Sequence, residues 1–540
     1  MSSRMRGGSL LQGNNTVPGV SPPKEVMDLV PDILQVCKDF GLDFWPTVVQ
    51  FLDYDEISEV AAYSGFPVRY PHWKWGMDYE ELSKGYEYGM HRIYEMVINS
   101  RPTYIYCLNS NTLVDNITVI VHATGHNDFF KNNIRFKPTQ CDSINMMNEL
   151  ANNGTRIRKY MSRWGKEKVT EFLDYVLRLD TLVDPAAAWR PPKISDLHLK
   201  DSRRYVEPRR INVPEGKDYM EEWINPKKFK DRERERAKRK EAADEIGVFK
   251  KPSKDILGFL RDHAPLKTWQ ADIVAMLYNE AQYFAPQRIT KMINEGWASY
   301  VDYQIMAGQG LASMGQEPGS GIIEYANHKA GVLGGKYSLN PYKLGFHLFL
   351  DIEERWNKGK FGEEYDNCAN IKEREDWDKK LGLGKEKVFD VRKYYDDVMM
   401  IHEFFTPDFC TENEFFEWER RPNGEYVITE KDPKVIKERM MQKFINGGLP
   451  DIRLVDPNHR NKGIMLLQHF WDGRILHESY TRETLIAIYK LWQRPVILAT
   501  RNLEGDEEVY CCEGMDSEAI TKMDREEYES KPLWTLPPSE

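Results

Sequence analysis

The sequence predicts a mainly α protein, a large helical body with a smaller C-terminal α+β domain. Three observations carry that prediction. Apolar residues recur at three- and four-residue spacing through most of the chain before residue 406, the period of helices that bury one face. Short runs rich in Val, Ile and Leu, the mark of strands, cluster in the last part. A length of 540 residues also exceeds what one hydrophobic core organises.

In chain order, residues 1–20 read as a flexible tail, with two arginines and no continuous apolar run, unlike a signal peptide. The helical body is expected over 21–405. It begins with PPKEVMDLVPDILQVCKDFG, where Val26, Leu29, Ile33, Val36 and Phe40 form one face and Gly41 ends the helix. Tyr86–Asn99 reads as a helix before a turn at Arg101-Pro102. Asn111–Asn127 reads as another, with Leu113, Ile117, Ile120 and Val121 as its stripe. Residues 193–253 are densely charged, peaking at KKFKDRERERAKRKEAADE, and read as a solvated helix or a disordered insertion. Helical periodicity returns from Asp255. The α+β domain is expected over 406–540, with strands at DIRLVDP, GIMLLQHF and PVILAT and the helix RETLIAIYKLWQ between the last two. The segment from Cys511 onward is polar and reads as peripheral.

The composition excludes several functions. No stretch approaches 18 consecutive apolar residues, so no membrane-spanning segment is expected. A net charge of -10 argues against nucleic acid as a partner. Seven cysteines without a CxxC pair fit a reducing compartment, and the cytoplasm is the expected location. Neither a phosphate-binding GxxxxGK[ST] loop nor a GxSxG nucleophile turn occurs.

What remains is a metal-type pattern. His122 and His126 in VHATGHNDFFKNN are four apart, so on a helix they face the same way. Such a pair alone also arises by coincidence. Gly125 lies between them and costs a helix interior about 1 kcal/mol against alanine, which points to close approach by a second helix or a bound group. Asp128 suits an outer partner of the histidines if the helix ends near Gly125 or Asn127. Further donors must come from far along the chain: Glu295 in MINEGWASY, Glu324 and His328 in IIEYANHKAG, and Glu280 before AQYFAPQ. Burying such carboxylates among apolar neighbours is costly unless they are paired or coordinated. Ion pairs with Arg288 or Lys291 would equally satisfy Glu280 and Glu295. In zinc peptidases of the HExxH type a glutamate follows the first histidine. Here that place is Ala123, so any base must come from elsewhere.

The same segments carry a likeness. YPHWKWG, YEMVINSRP, HATGHNDFFKNN, WQADIVAMLYNEAQYFAPQ, MINEGWASY, HKAGV and NPYKLGF, followed by IRLVDPNHRNKGIMLLQH, resemble the SpoVR (stage V sporulation protein R) family in order along nearly the whole chain. The resemblance implies a cytoplasmic protein tied to formation of the spore cortex in spore formers and to stress physiology elsewhere. It also implies gene neighbours that include a serine protein kinase and a protein with a von Willebrand factor-like domain.

Two readings follow. In the first, the protein is a metal-dependent hydrolase acting on an amide or a cell-wall-related compound. His122, His126 and Glu295 bind a divalent ion (Zn, Fe or Mn), His328 is a fourth ligand or stabilises the transition state, and Glu280 or Glu324 is the base. In the second, the protein is a non-enzymatic regulatory or assembly factor working with the serine protein kinase system, its C-terminal domain serving as the docking module. Neither reading fixes the oligomeric state.

Overall fold

In the computed structural model, residues 24–87, 95–140, 146–189, 252–308, 321–335, 337, 340–459 and 462–530 are described. The expected tail at 1–20 and, apart from its last two residues, the charged stretch 193–253 lie outside them. The protein is mainly α, with a smaller β-containing region toward the C-terminus. The chain divides into two compact units that each draw on separated segments. One unit joins residues 1–170 to 286–448, and the other joins 171–285 to 449–540. Of the stretch expected as the C-terminal domain, 406–448 thus belongs to the first unit and the remainder to the second.

The first unit is organised around one buried helix, Leu113–Asn132, called here the histidine helix. Thr112 caps it, its side chain accepting from the Asp115 N–H at 3.1 Å. Every residue from Asn116 to Phe130 is buried, so this helix is enclosed on all sides and not only along a stripe. Lys24–Phe40 covers part of it, ending at Gly41 with a left-handed φ of 110°.

A second helix, Lys291–Met306, packs along it. At Gly125 an added Cβ would sit 3.0 Å from the Ala298 Cα, so the close approach implied by that glycine is made by this helix. On its other side the same helix meets Pro341–Lys358 just as closely: a Cβ on Gly296 would lie 2.4 Å from the Gly345 carbonyl carbon. Asp397, from the helix Asp397–Phe404, accepts the Met292 and Ile293 N–H groups at 3.1 and 2.9 Å, supplying the cap that Thr290 does not.

The first unit also contains a three-stranded sheet that the helical periodicity did not announce. Strands β1 (Thr47–Leu52), β2 (Glu95–Ile98) and β3 (Thr103–Leu108) stand in the order β1-β3-β2, with β1 parallel and β2 antiparallel to β3. Glu95–Ile98, expected as the end of a helix, is drawn into extended form by pairing with Tyr104–Cys107, where tertiary contacts outweigh local propensity. A β-hairpin, β4 (Glu417–Arg420) and β5 (Tyr426–Glu430), completes this unit's strands.

The second unit contains a five-stranded sheet in the order β10-β9-β8-β7-β6. The three expected strands are present as β6 (Ile452–His459), β7 (Ile464–His469) and β8 (Val496–Arg501). The expected helix, Glu478–Trp492, connects the parallel pair β7 and β8. Two further strands, β9 (Glu507–Cys512) and β10 (Ile520–Asp524), extend it. Cys511 and Cys512 are therefore not peripheral. Both are buried in β9, an inner strand paired on both sides.

Candidate metal centre

The site is built where the histidine helix faces Lys291–Met306. His122 and His126 leave adjacent turns of one helix, their rings 4.8 Å apart and nearly perpendicular. Glu295 reaches them from the other helix. Its Oε2 lies 3.3 Å from His126 Nε2 and 3.9 Å from His122 Nε2. One donor atom from each of the three residues lies within 4.8 Å of the others.

The far nitrogens decide what these atoms can do. His122 Nδ1 is 2.8 Å from Asp302 Oδ2, and His126 Nδ1 is 3.0 Å from the Asn294 side-chain oxygen. An acceptor at Nδ1 places the ring proton there, so in the neutral imidazole Nε2 presents a lone pair. Two such lone pairs face a carboxylate oxygen that is also an acceptor. Burial works to raise the Glu295 pKa, but with no ion bound, protonated His126 and His122 outweigh it and hold the carboxyl well below its usual range, so the carboxylate draws positive charge to this place. With both rings neutral, no hydrogen-bond donor among the described residues satisfies Glu295 Oε2, although it is buried. Acceptors converging in this way call for a cation between them.

The spacing suits a metal ion. Donors about 2.0–2.2 Å from a tetrahedral ion stand roughly 3.3–3.6 Å apart; the 3.3 Å separation falls in that range and the 3.9 Å one is slightly wider. His122, His126 and Glu295 can therefore coordinate a metal, as two imidazoles and one carboxylate with room for a further ligand.

A buried network stands behind His122. Asp302 also accepts from Lys329 Nζ at 2.7 Å and from the Tyr325 hydroxyl at 3.0 Å, and Lys329 donates in addition to the Ser299 carbonyl at 2.9 Å. Burial would raise the Asp302 pKa, but Lys329 and His122 keep it lowered. Lys329 and Tyr325 come from a third helix, Ile322–Val332, so three helices are joined through one carboxylate.

Two models of one family together match nearly the whole chain: "SpoVR like protein" over residues 22–449 and "SpoVR-like C-terminal domain" over 450–502. The chain belongs to the SpoVR family. Its sequence is 26% identical over 506 residues to the "Uncharacterized protein YcgB" of Escherichia coli (strain K12), a span covering 88% of this chain and 92% of the relative. No solved structure matches. Among the described residues, no helix is long and apolar enough to cross a membrane.

Within this SpoVR chain the expected site residues separate. His122, His126 and Glu295, distant in sequence, come together. His328 stands outside their cluster, with Nδ1 3.2 Å from Asp115 Oδ1. Glu324 is exposed in the first turn of the helix that carries His328. Glu280 is buried on the helix Thr268–Ile289, in the part of that helix assigned to the second unit. Asp128 does not touch the histidines. Its Oδ1 accepts from the Asp43 N–H at 2.8 Å and its Oδ2 from the Trp297 indole at 3.0 Å, with Arg392 at 3.4 Å. The helix runs on to Asn132, so a residue two beyond His126 projects from another face.

Asn294, Asp302, Tyr325 and Lys329 were not singled out from the sequence. One signal was available. Asp302 is seven residues after Glu295 and Asp115 is seven before His122, two helical turns that return each carboxylate to the same face.

Proposed function

We propose that the protein is a metal-dependent hydrolase in which His122, His126 and Glu295 hold one divalent ion, of Zn, Fe or Mn. The observation that carries this is the convergence of two Nδ1-anchored histidines on the unsatisfied Oε2 of Glu295. When bound, such an ion supplies an acidified water and a Lewis acid for a scissile carbonyl. The chain's own residues do the rest. Asp302 and Asn294 fix ring orientation, and Lys329 balances the charge of Asp302. We assign proton transfer to His328 in preference to Glu324 or Glu280. Asp115 orients its Nδ1, and burial lowers its pKa despite the nearby carboxylates, which favours the neutral base. An amide or cell-wall-related substrate, a place in spore-cortex formation or stress physiology, and action beside a serine protein kinase system belong to this same proposal.

A second reading has its own support. The Asp302–Lys329–Tyr325 network ties three helices together with or without an ion, as an assembly or regulatory protein would need. Metal analysis of protein purified without an affinity tag separates the two. The hydrolase reading expects about one ion per chain, lost in the His122→Ala/His126→Ala double variant. Content far below one per chain and unchanged by that substitution overturns it.

A further inference from the structure

The helix Ile322–Val332 is the third member of the Asp302 network, and it is fastened unlike the other two. Tyr325, His328 and Lys329, three and four residues apart, form one stripe along it. Tyr325 and Lys329 both donate to Asp302 Oδ1, at 3.0 and 2.7 Å, and Lys329 donates also to the Ser299 carbonyl at 2.9 Å. His328 Nδ1 reaches Asp115 on the histidine helix at 3.2 Å. The other oxygen of Asp302 is the one that holds His122 Nδ1, at 2.8 Å. The helix is therefore moored through the carboxylate that orients a residue of the metal centre.

Its remaining attachments are slight. The Tyr325 ring enters the core, and the Asn340 amide donates to the Val332 carbonyl at 2.9 Å. Ile322 and Ile323 are 53% and 75% exposed, and Ala326, Asn327, Ala330 and Gly331 also face solvent. Gly321 precedes the helix and gives it no side-chain cap. Its 11 residues fall short of the about 12–15 at which an isolated helix is even marginal in water. Gly331 weakens it further. This helix thus persists because it is docked.

The centre that it borders is enclosed. The His122, His126 and Glu295 side chains are 10%, 8% and 16% exposed. For an ion or a substrate to enter, something must give way. Of the three helices joined at Asp302, the histidine helix is buried on all sides, and Lys291–Met306 meets its neighbours backbone to backbone at Gly125 and Gly345. The helix moored by one stripe is the one that can part, since elements with few buried contacts open first. Its mooring also responds to the ion. With a cation at Nε2, the His122 ring is fixed and its Nδ1–H polarised, which strengthens the bond to Asp302. An acceptor already held in place costs Tyr325 and Lys329 less to engage.

We propose that Ile322–Val332 is a strap coupled to the ion: it parts from Asp302 to admit the ion and closes on the filled centre, carrying His328 to its place beside Asp115. The proposal rests on the metal reading above and adds an order to it. The residue assigned proton transfer is seated most firmly once the ion is in.

Hydrogen–deuterium exchange of the full chain, read by mass spectrometry with and without saturating zinc, tests it. Zinc is expected to slow exchange of the 322–332 amides by about fivefold or more. Peptides of the five-stranded sheet should change by less than about twofold. The His122→Ala/His126→Ala variant should abolish the effect of zinc. Lys329→Met should abolish it while zinc still binds, and Tyr325→Phe, which removes only one hydroxyl, should reduce it. If circular dichroism shows that Lys329→Met misfolds, Tyr325→Phe decides alone. Calorimetric titration of the same samples with zinc keeps the two readings apart. No zinc binding overturns the metal centre and the strap with it. Zinc binding without slower exchange over 322–332 overturns the strap alone, as does a full zinc effect in Tyr325→Phe or in folded Lys329→Met.

Discussion

Two polar clusters bridge the histidine helix and Lys291–Met306, and their chemistry is opposite. At Asp128 every acceptor meets a donor: the Asp43 N–H, the Asn132 amide, the Trp297 indole and the Arg392 guanidinium converge on one buried carboxylate. At His122, His126 and Glu295, acceptors meet an acceptor. Both clusters lie among apolar residues and both pair a residue near 122–128 with one near 295. The first carboxylate is satisfied as folded, and what its cluster leaves without a hydrogen bond are donors, Nε and Nη1 of Arg392. The second leaves acceptors, which a proton on one ring or a bound cation would satisfy. Buried polar groups mark a binding site less by their presence than by the sign of what they leave unsatisfied.

That contrast can be broken by experiment. The largest expected effect is the loss of essentially all bound metal in His122→Ala/His126→Ala, read by elemental analysis, with the thermal midpoint of the metal-free protein little changed. Asp128→Ala should do the reverse. It strands a buried guanidinium and an indole N–H, costing about 3–5 kcal/mol by urea unfolding, while the folded fraction retains its metal. Asp302→Asn should weaken metal affinity by about 10–100-fold, measured by competition with a chromophoric chelator, because His122 loses its anchoring charge.

A smaller effect concerns pH. Burial pushes the Asp128 carboxyl up to about 6, even against Arg392 and its two N–H donors. A folded value above the ordinary 3.8 means that the fold favours the neutral form. This contribution to stability is full below pH 3.8 and is lost as pH rises through about 6. Urea midpoints of wild type should carry that decline between about pH 4 and 6, and Asp128→Asn should flatten it. An unchanged slope would show that Asp128 does not titrate in this window. The smallest effect is expected from Gly125→Ala. A gain in helix propensity of about 1 kcal/mol offsets much of the push against the Ala298 backbone, leaving a modest fall in metal affinity.

The sequence disclosed the residues of the candidate metal cluster better than their supports. His122 and His126 were legible because i and i+4 share a face, and Glu295 because a carboxylate beside Ile293 and Trp297 needs a reason to be there. His328 followed the same logic, yet its Nδ1 is engaged by Asp115, a partner that only the tertiary fold supplies. The histidine helix was legible as a helix, but not as one enclosed all round. Strands β1 to β3 were hidden because short strands in a helical body carry little periodicity, and Glu95–Ile98 is set by its partner strand. β9 was hidden by its first two residues, Glu507 and Glu508, which make a buried strand look like an acidic surface.

The contact between Gly296 and Gly345 bears on tolerance. Two backbones meet there without a side chain between them, one residue from Glu295. A contact made by side chains can relax by changing rotamers; one made by main chain cannot. The carboxylate is thus mounted beside a backbone-to-backbone contact, which limits how far the width of the gap opposite the histidines can change. Ions that accept that width will fit, while those requiring a different one will find little give in the walls.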